Sequence, residues 1–285
     1  MLKHNYPFEA FGTQWAIETN DELDSLLKHA IQKNIDAFDK VYSRFRADSL
    51  VTEISQKAGT YTFPTDVTKL FDFYKSLYGA TGGKVTPLIG DMVSRAGYDA
   101  TYSLQARTQK PVRTWDEVLT WEETTLTASQ PVLLDVGAAG KGYMVDIIAT
   151  ILDEQLITDY VIDASGDLRH KGTSKNVVGL EHPLKPGKVI GAAEVLNRSL
   201  CASASNRRAW GNGMHHIFDP DEMAPTQNII ATWVIADEAM IADGLATALF
   251  FVDAHRLSDE YDFEYVRMFA DGSVQYSPYF EGKLF

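Results

Sequence analysis

The sequence predicts an α+β protein in which helices flank mixed, largely antiparallel sheets. Two observations carry this prediction: a long amphipathic helix near the N-terminus, and later strands that do not alternate regularly with helices. A doubly wound parallel sheet would require that alternation. A chain of 285 residues can bury a sizeable core, either as one large domain or as two modest ones. We expect a single domain over residues 1–285, built as one body or as two intertwined subdomains with the site between them.

The first predicted elements are a strand and two helices. Residues 8–19 alternate loosely between apolar and polar types, which indicates one strand. Apolar residues over 23–45 recur with the period of an amphipathic helix. Thr19 and Glu22 have the spacing of a capping box, so we expect this helix to start beside them. A second helix is predicted over 64–80.

The second half of the chain contains more distinct patterns, whereas the stretch 82–130 has none. A glycine-rich loop over 137–142 joins a short apolar strand to a helix, and Asp237 could cap a later helix that runs to Val252. Asp271 and Gly272 are typical of the turn of a hairpin. The predicted strands are 131–136, 159–164, 228–236, 264–270 and 273–280, and the predicted helix after the loop is 143–156.

Composition excludes several classes of protein. Lys and Arg number 26 against 39 Asp and Glu, a formal net charge of −13, which disfavours nucleic-acid binding. No apolar stretch approaches the length needed to span a bilayer. Cys201 is the single cysteine, so no intrachain disulfide can form, and its apolar surroundings favour packing over a nucleophilic role. The N-terminal segment has neither a signal peptide nor a lipoprotein cysteine, so we expect a cytoplasmic protein.

The segment DVGAAGKG, residues 135–142, is the first candidate site. A glycine-rich loop that leads into a helix offers backbone N–H groups and a helix dipole to a phosphate. Lys141 could add a positive charge there. The spacing is neither a Walker loop nor a dinucleotide fingerprint, and an ordinary tight turn remains the alternative.

A second candidate lies in IADGLATALF, residues 241–250, where Asp243 and Thr247 are four residues apart. On a helix both would project from the same face. A carboxylate and a hydroxyl suit Mg²⁺, a hard cation that takes oxygen ligands. The alternative is a solvated Asp243 and a Thr247 bonded to its own helix.

The segment HHIFDP, residues 215–220, is a third candidate. Histidine transfers protons near neutral pH, and Asp219 could orient one of the two. A structural histidine is the alternative. Phe45, in SRFRADS, could stack on an aromatic ring, although core packing suits it too, and the two arginines of that segment suit a helix C-terminus.

Taken in chain order, six segments resemble those of the ApbE-type flavin transferases, the FAD:protein FMN transferases. The match covers most of the chain, and its specificity comes from the order of the segments rather than from any one of them. The segments are FGT (11–13), SRFRADS (43–49), LDVGAAGKGYMVD (134–146), DASGDLRHKG (163–172), HIFDP (216–220) and ADGLATALF (242–250).

The resemblance implies an ApbE-like fold and a reaction. Such a transferase binds FAD with Mg²⁺, cleaves the diphosphate and passes FMN to a Thr or Ser hydroxyl of an acceptor protein, releasing AMP. Asp243 would be catalytic and would bind the metal with Thr247 and the backbone carbonyl of Ala138, while His216 would accept the hydroxyl proton. The resemblance places the following residues against FAD: Phe11, Phe45, Thr86, Asp135, Lys141, Ser203 and Ile217.

The sequence also departs from the family's pattern in loops. Ser203 keeps its place between Ala202 and Ala204, where the family has Thr and Gly, and Thr86 lacks the preceding Asp of the family's segment. Two alternatives therefore stay open: an FAD pyrophosphatase that yields FMN and AMP, and an FAD-binding protein without turnover. The acceptor protein and the oligomeric state cannot be read from the sequence.

Overall fold

A computed structural model describes residues 2–211 and 213–285. The chain forms two compact units, each assembled from separate stretches. The first unit comprises Met1–Ile35, Ala139–Asn206 and Gln227–Phe285, and the second comprises Asp36–Ala138 and Arg207–Thr226. The expectation of a single domain stays a prediction.

The elements alternate irregularly along the chain. The strands are β1 His4–Ala10, β2 Thr13–Thr19, β3 Gly59–Thr62, β4 Leu119–Glu122, β5 Thr125–Ala128, β6 Tyr160–Asp163, β7 Asp167–Lys171, β8 Asn176–Glu181, β9 Val189–Val195, β10 Ser199–Ala204, β11 Ala209–Trp210, β12 Met214–His215, β13 Phe218–Asp219, β14 Ala224–Pro225, β15 Ile229–Ala236, β16 Glu264–Phe269, β17 Val274–Tyr276 and β18 Gly282–Leu284. The helices are α1 Ser25–Tyr42, α2 Leu50–Ile54, α3 Val67–Ala80, α4 Gly90–Arg95, α5 Trp115–Val118, α6 Gly140–Glu154, α7 Ala239–Ala248 and α8 Ala254–Ser258, with a 3₁₀ turn at Pro87–Ile89.

The first unit is built on an eight-stranded sheet in the order β1-β2-β6-β7-β10-β15-β16-β17, and every neighbouring pair is antiparallel. A three-stranded sheet, β18-β9-β8, shares a core with it through Leu180, Val195 and Leu200. Cys201, the next residue on β10, points instead toward α7. The central strand β15 is buried along its whole length, as expected for a strand covered on both faces.

The second unit combines short helices with small sheets. Strands β3, β5 and β4 form one antiparallel sheet, and β11–β12 and β13–β14 form two short ladders. A cluster around Met92, Tyr98 and Trp210 forms part of its core. Antiparallel sheets with flanking helices confirm the α+β prediction.

Several predicted elements are confirmed in place. The amphipathic pattern corresponds to α1, the second helix to α3, and the strands predicted over 159–164 and 228–236 to β6 and β15. The C-terminal hairpin is β16–β17. Residues 131–136 were expected to form a strand but have no strand assignment, and the helix after the loop starts at Gly140 rather than at residue 143.

The N-terminal strand predicted over 8–19 is wrong, because the chain turns in the middle of it. Phe11 and Gly12 have φ of 52° and 69°, and β1 and β2 pair in an antiparallel hairpin across them. Positive φ at both central residues characterises the two-residue turn that matches strand twist. The expected capping box is also wrong: Asp24 accepts the N–H of Leu27 at the start of α1.

Helices α6 and α7 approach each other closely at Gly142. A β-carbon built on Gly142 would lie 2.2 Å from the carbonyl oxygen of Ala239 and 2.8 Å from the β-carbon of Asp243. Such distances are far inside van der Waals contact, and one of the two atoms belongs to the backbone. Only glycine allows the two helices to pack at this distance.

We expect Gly142→Ala to destabilise the protein by on the order of 3 kcal/mol, because overpacking at a backbone contact forces the helices apart. Chemical denaturation would measure the change. Gly79→Ala is the matched control, since Gly79 is also helical but has nothing within 4 Å of the added carbon. It should stabilise the protein by up to about 1 kcal/mol through helix propensity. Equal effects of the two substitutions would contradict the packing argument.

Candidate functional site

Asp243 lies against the end of the glycine-rich segment. Its carboxylate Oδ2 accepts the backbone N–H of Gly142 at 2.9 Å, and the side chain is 5% exposed. Gly142 is in the first turn of α6, where backbone N–H groups lack partners inside the helix. The alternative of a solvated Asp243 is therefore wrong. A carboxylate at a helix N-terminus is also stabilised by the helix dipole.

Thr247 follows Asp243 by one helical turn and is half-buried. Residues four apart in α7 share a face. Ala138, the third residue implied as a metal ligand, precedes Gly142 by four positions and is also half-buried. Its backbone N–H donates to the Tyr74 hydroxyl at 3.1 Å.

The N-terminus of α7 is capped by Asp146 of α6, not by Asp237 as expected. The Asp146 carboxylate accepts the N–H groups of Ala239 at 2.9 Å and Met240 at 2.8 Å. Asp237 is 91% exposed and lies 3.3 Å from Arg198. Each of the two helices therefore receives a carboxylate of the other at its first turn.

The positive charge of Lys141 is paired with a carboxylate. Its ammonium group forms an ion pair with Asp167, at the start of β7, and donates to the carbonyl oxygen of Ala164 at 3.3 Å. Asp167 is fully buried, so the ion pair offsets the cost of burying its charge. Lys141 thus holds the acidic turn that precedes β7.

The packing role expected for Cys201 is confirmed. The side chain is fully buried and its Sγ lies 3.4 Å from the carbonyl oxygen of Ala239. Burial raises the pKa of the thiol well above its usual value, and the carboxylates of Asp167 and Asp243 raise it further. The thiolate needed for nucleophilic attack is therefore strongly disfavoured.

Asp135 belongs to the second unit and is held by Arg44. The Nε of Arg44 donates to Asp135 Oδ2 at 2.5 Å, and its Nη1 donates to the carbonyl oxygen of Tyr98 at 2.7 Å. The N–H of Gly137 donates to Asp135 Oδ1 at 2.7 Å. Burial would raise the pKa of Asp135, but Arg44 and the Gly137 hydrogen bond outweigh it and lower the pKa. Asp135 is therefore an anion fixed in place.

Of the two adjacent histidines, His215 is structural. Its Nε2 lies 2.7 Å from the carbonyl oxygen of Thr226, and its Nδ1 accepts the N–H of Ile217 at 3.3 Å. Both ring nitrogens therefore bond to the backbone. Burial lowers the pKa of His215, which favours the neutral ring that these bonds require. His216 is half-buried and Ile217 is buried.

Asp219 does not orient a histidine, contrary to expectation. Its Oδ1 accepts the Lys84 ammonium at 2.6 Å and the N–H groups of Asp221 and Glu222. Burial would raise the pKa of Asp219, but these hydrogen bonds, with that from Lys84 first, lower it. Asp219 therefore stabilises the turn after β13.

The remaining residues expected at FAD lie in both units. In the first unit, Phe11 sits in the β1–β2 turn with its ring 5.8 Å from that of Trp15, and Ser203 is half-buried on β10. In the second unit, Thr86 is 4% exposed and its hydroxyl accepts the N–H of Leu88. Phe45 is half-buried in the second unit's aromatic cluster and stacks on Tyr102.

Metal binding by a cluster of acidic or nitrogen ligands is not supported. Across residues 2–211 and 213–285, no three His, Cys, Asp or Glu side chains lie close enough together to hold an ion. A site based on Asp243 would therefore have one carboxylate and otherwise neutral oxygen ligands. Mg²⁺ accepts such a site, because it retains waters and binds substrate phosphates.

A sequence model of the ApbE family matches residues 11–262. The chain belongs to the ApbE family. Two relatives are each named FAD:protein FMN transferase. That of Vibrio cholerae is 26% identical over 248 residues, covering 81% of this chain and 74% of the relative. That of Haemophilus influenzae is 26% identical over 264 residues, covering 82% and 72%.

Solved structures agree on the fold. The flavin transferase ApbE from Vibrio cholerae superposes with a TM-score of 0.78 at 21% identity, covering 96% of this chain and 97% of that one. The ApbE protein of Thermotoga maritima gives 0.83 at 19%, with the same coverage of both chains. Within the described part of this ApbE-family chain, none of the helices combines the length and apolar composition that a membrane crossing requires.

The sequence analysis missed two residues, one in each unit, that hold a candidate side chain or helix in place. Arg44 was expected to serve a helix C-terminus, but it is 7% exposed and binds Asp135. Asp146 was not singled out, although it caps α7. Both partners are more than ninety positions away in the chain, and local patterns carry no signal for such pairs.

Asp146 should make the stability depend on pH. Burial raises its pKa from 3.8 to about 6, against the opposing hydrogen bonds from Met240 and Ala239. A carboxyl group with a raised pKa contributes stability that is fully present below about pH 4 and lost as the pH rises through about 6.

We therefore expect the free energy of unfolding of the wild type, relative to that of Asp146→Asn, to fall by on the order of 3 kcal/mol between pH 4 and 7. Urea denaturation at several pH values measures both. A difference that does not change over this range would show that Asp146 has an ordinary pKa.

Proposed function

We propose that this chain is a Mg²⁺-dependent transferase that moves FMN from FAD to a Thr or Ser hydroxyl of an acceptor protein and releases AMP. The observation that carries the proposal is the contact between Asp243 and Gly142. It joins two segments a hundred residues apart, the same two that the sequence analysis assigned to metal and diphosphate. The relatives named FAD:protein FMN transferase support the same activity.

We assign Mg²⁺ to Asp243, Thr247 and the carbonyl oxygen of Ala138. The fit is supported by the chemistry of these donors: a carboxylate that is 5% exposed, a hydroxyl and a carbonyl are the oxygen ligands that Mg²⁺ takes. When bound, Mg²⁺ would neutralise charge on the diphosphate and stabilise the leaving phosphate.

In the proposed transfer, the acceptor hydroxyl oxygen forms a bond to the phosphorus on the flavin side of the diphosphate. The bond from that phosphorus to the bridging oxygen breaks, and AMP leaves with the bridging oxygen. His216 accepts the proton of the hydroxyl, a general-base role that suits the pKa of an imidazole. His215, with both ring nitrogens bonded to backbone, keeps the segment before Ile217 in place.

Asp135 would contact FAD from a position that Arg44 and Gly137 fix. Residues held by several hydrogen bonds need no reorganisation when the substrate binds, which favours catalysis. Phe11, Thr86, Lys141, Ser203 and Ile217 are proposed as further FAD contacts.

The decisive experiment incubates the protein with FAD, Mg²⁺ and a Thr-containing acceptor domain, and follows both products. Covalent flavin fluorescence on the acceptor band, with an equal amount of AMP, is expected. AMP without labelled acceptor would indicate hydrolysis, and binding without AMP would indicate a flavin-binding protein. An acceptor with its Thr replaced by Ala and a reaction with chelator are the controls.

Asp243→Asn should lower the transfer rate by about 10²- to 10³-fold, as expected when one group that stabilises developing charge is lost. The amide oxygen can still accept the Gly142 N–H, so the fold should be kept, which thermal unfolding would check. Asp237→Asn is the matched control, since this exposed carboxylate lies two residues before the same helix. Unchanged Mg²⁺-dependent activity of Asp243→Asn would remove the metal assignment.

His216→Ala should lower the transfer rate by about 10²- to 10⁴-fold, the range for loss of a general base. The affinity for FAD should not change. His29→Ala, at an exposed position on α1, is the control. A small loss of rate would leave His216 with a structural role.

A further inference from the structure

The outer strand β8 of the first unit has an open backbone edge. In the sheet β18-β9-β8, the described chain places β9 on one side of β8 and no strand on the other. The N–H of His182, directly after β8, donates to Lys188 on the β9 side. Successive residues of a strand direct their N–H and carbonyl groups to alternate sides. Val177 and Gly179 therefore direct theirs away from β9, toward the open side.

Strand β8 lacks the features that protect the other outer strands of the first unit. Strand β1 has Pro7 at its centre, and β17 and β18 are each three residues long. Strand β8 has six residues and no proline. Prolines and short lengths are means by which proteins prevent pairing at a sheet edge. The edge of β8 is therefore a template on which a further strand can pair.

One face of β8 holds the strand in the fold while the other is accessible. Leu180 is fully buried in the core of the first unit. On the opposite face, Val177 is 67% exposed and Gly179 is also exposed. A strand that paired with β8 would bond to the outward backbone groups of both residues and would cover part of the Val177 side chain.

The two ends of β8 lie beside opposite charges. At the N-terminal end, the Lys175 ammonium lies 2.8 Å from a Glu194 oxygen and 2.9 Å from a Glu281 oxygen, so two carboxylates share one cation. At the other end, the turn between β8 and β9 carries the exposed Lys185 and Lys188, against a single glutamate at the end of β8. Two copies of this strand in antiparallel pairing would place each basic end beside an acidic end.

We propose that β8 is the docking edge for β8 of a second copy of this chain, paired antiparallel about a two-fold axis at Val178. The contact is isologous, since each copy contributes the same strand. It places Val177 of one copy across from Gly179 of the other, where no side chain obstructs it. Lys175 of one copy lies across from Glu181 of the other. A parallel arrangement would instead bring like charges together, which is unfavourable.

The first test is sedimentation velocity of the full chain. One pair of short strands makes a smaller interface than those of stable dimers, so we expect a weak dimer that forms as the protein concentration rises. Measurements up to about 1 mM protein should show the shift from monomer to dimer, because that range reaches weak affinities. A chain that stays monomeric throughout would overturn the proposal.

Substitutions at Val177 test whether the dimer uses this edge. Val177→Lys adds a charge of the kind that protects natural edges, and Val177→Pro removes an outward N–H without removing a bond to β9. Each should raise the dissociation constant of the dimer by about tenfold or more. Val274→Lys, on the short outer strand β17 at a residue 36% exposed, is the matched control and should leave the dimer unchanged. A dimer that both Val177 variants retain would overturn the proposal.

Cross-linking tests the register and direction of pairing. In the proposed register, position 175 of one copy faces position 181 of the other at a Cα separation of about 5.5 Å, which a disulfide spans. Mild oxidation of a variant with both Lys175→Cys and Glu181→Cys should give covalent dimers, whereas either substitution alone should not. The native Cys201 is fully buried and adds no background. Equal cross-linking of the single and double variants would contradict the antiparallel pairing.

Discussion

The close contact of α6 and α7 at Gly142 is the constraint on which the candidate site depends. The absent side chain lets the backbone of α6 approach the carbonyl oxygen of Ala239. At that distance the Gly142 N–H reaches the carboxylate of Asp243, and Asp146 reaches the first turn of α7. The two helices are thus joined by reciprocal caps, which satisfy N–H groups that helix ends otherwise leave unpaired.

Four buried or partly buried carboxylates of this acidic chain each meet an N–H donor or a cation. Asp243 and Asp146 meet backbone N–H groups at helix starts. Asp167 meets Lys141, and Asp135 meets Arg44 and the N–H of Gly137. Burying an unpaired carboxylate would cost far more than these pairs do. The same pairing fixes the orientation of the side chains that the proposed reaction uses.

The helices and the buried strands could be predicted because their signals are local. The period of apolar residues identified α1, and α3 and the largely apolar β15 were also predicted in place. The β1–β2 turn could not be predicted in this way, since Phe11 stands where such turns usually have Asn, Asp or Gly. An apolar run over 131–136 also resembled a strand, yet no neighbouring strand pairs with it within the described chain.

The residues of the candidate site show the same difference between local signals, which can be predicted, and tertiary contacts, which cannot. Residue patterns, and then the resemblance to a family, selected Asp243 and the glycine-rich segment, and the structure brings Asp243 to Gly142. The residues that hold the candidate side chains and helices in place could not be predicted from the sequence. Arg44 and Asp146 act on partners far along the chain. Such residues are defined by tertiary contacts rather than by neighbours in sequence.

The glycine-rich segment shows why a cation belongs in the proposed mechanism. A helix N-terminus attracts anions, and the sequence suggested that α6 would receive a phosphate. In the structure the anion at its first turn is the carboxylate of Asp243, and the nearby ammonium of Lys141 is paired with Asp167. In the proposed mechanism the charge of a diphosphate is offset instead by a cation that the protein binds through oxygen ligands. Asp243, placed at that helix start, is a suitable ligand for a divalent ion.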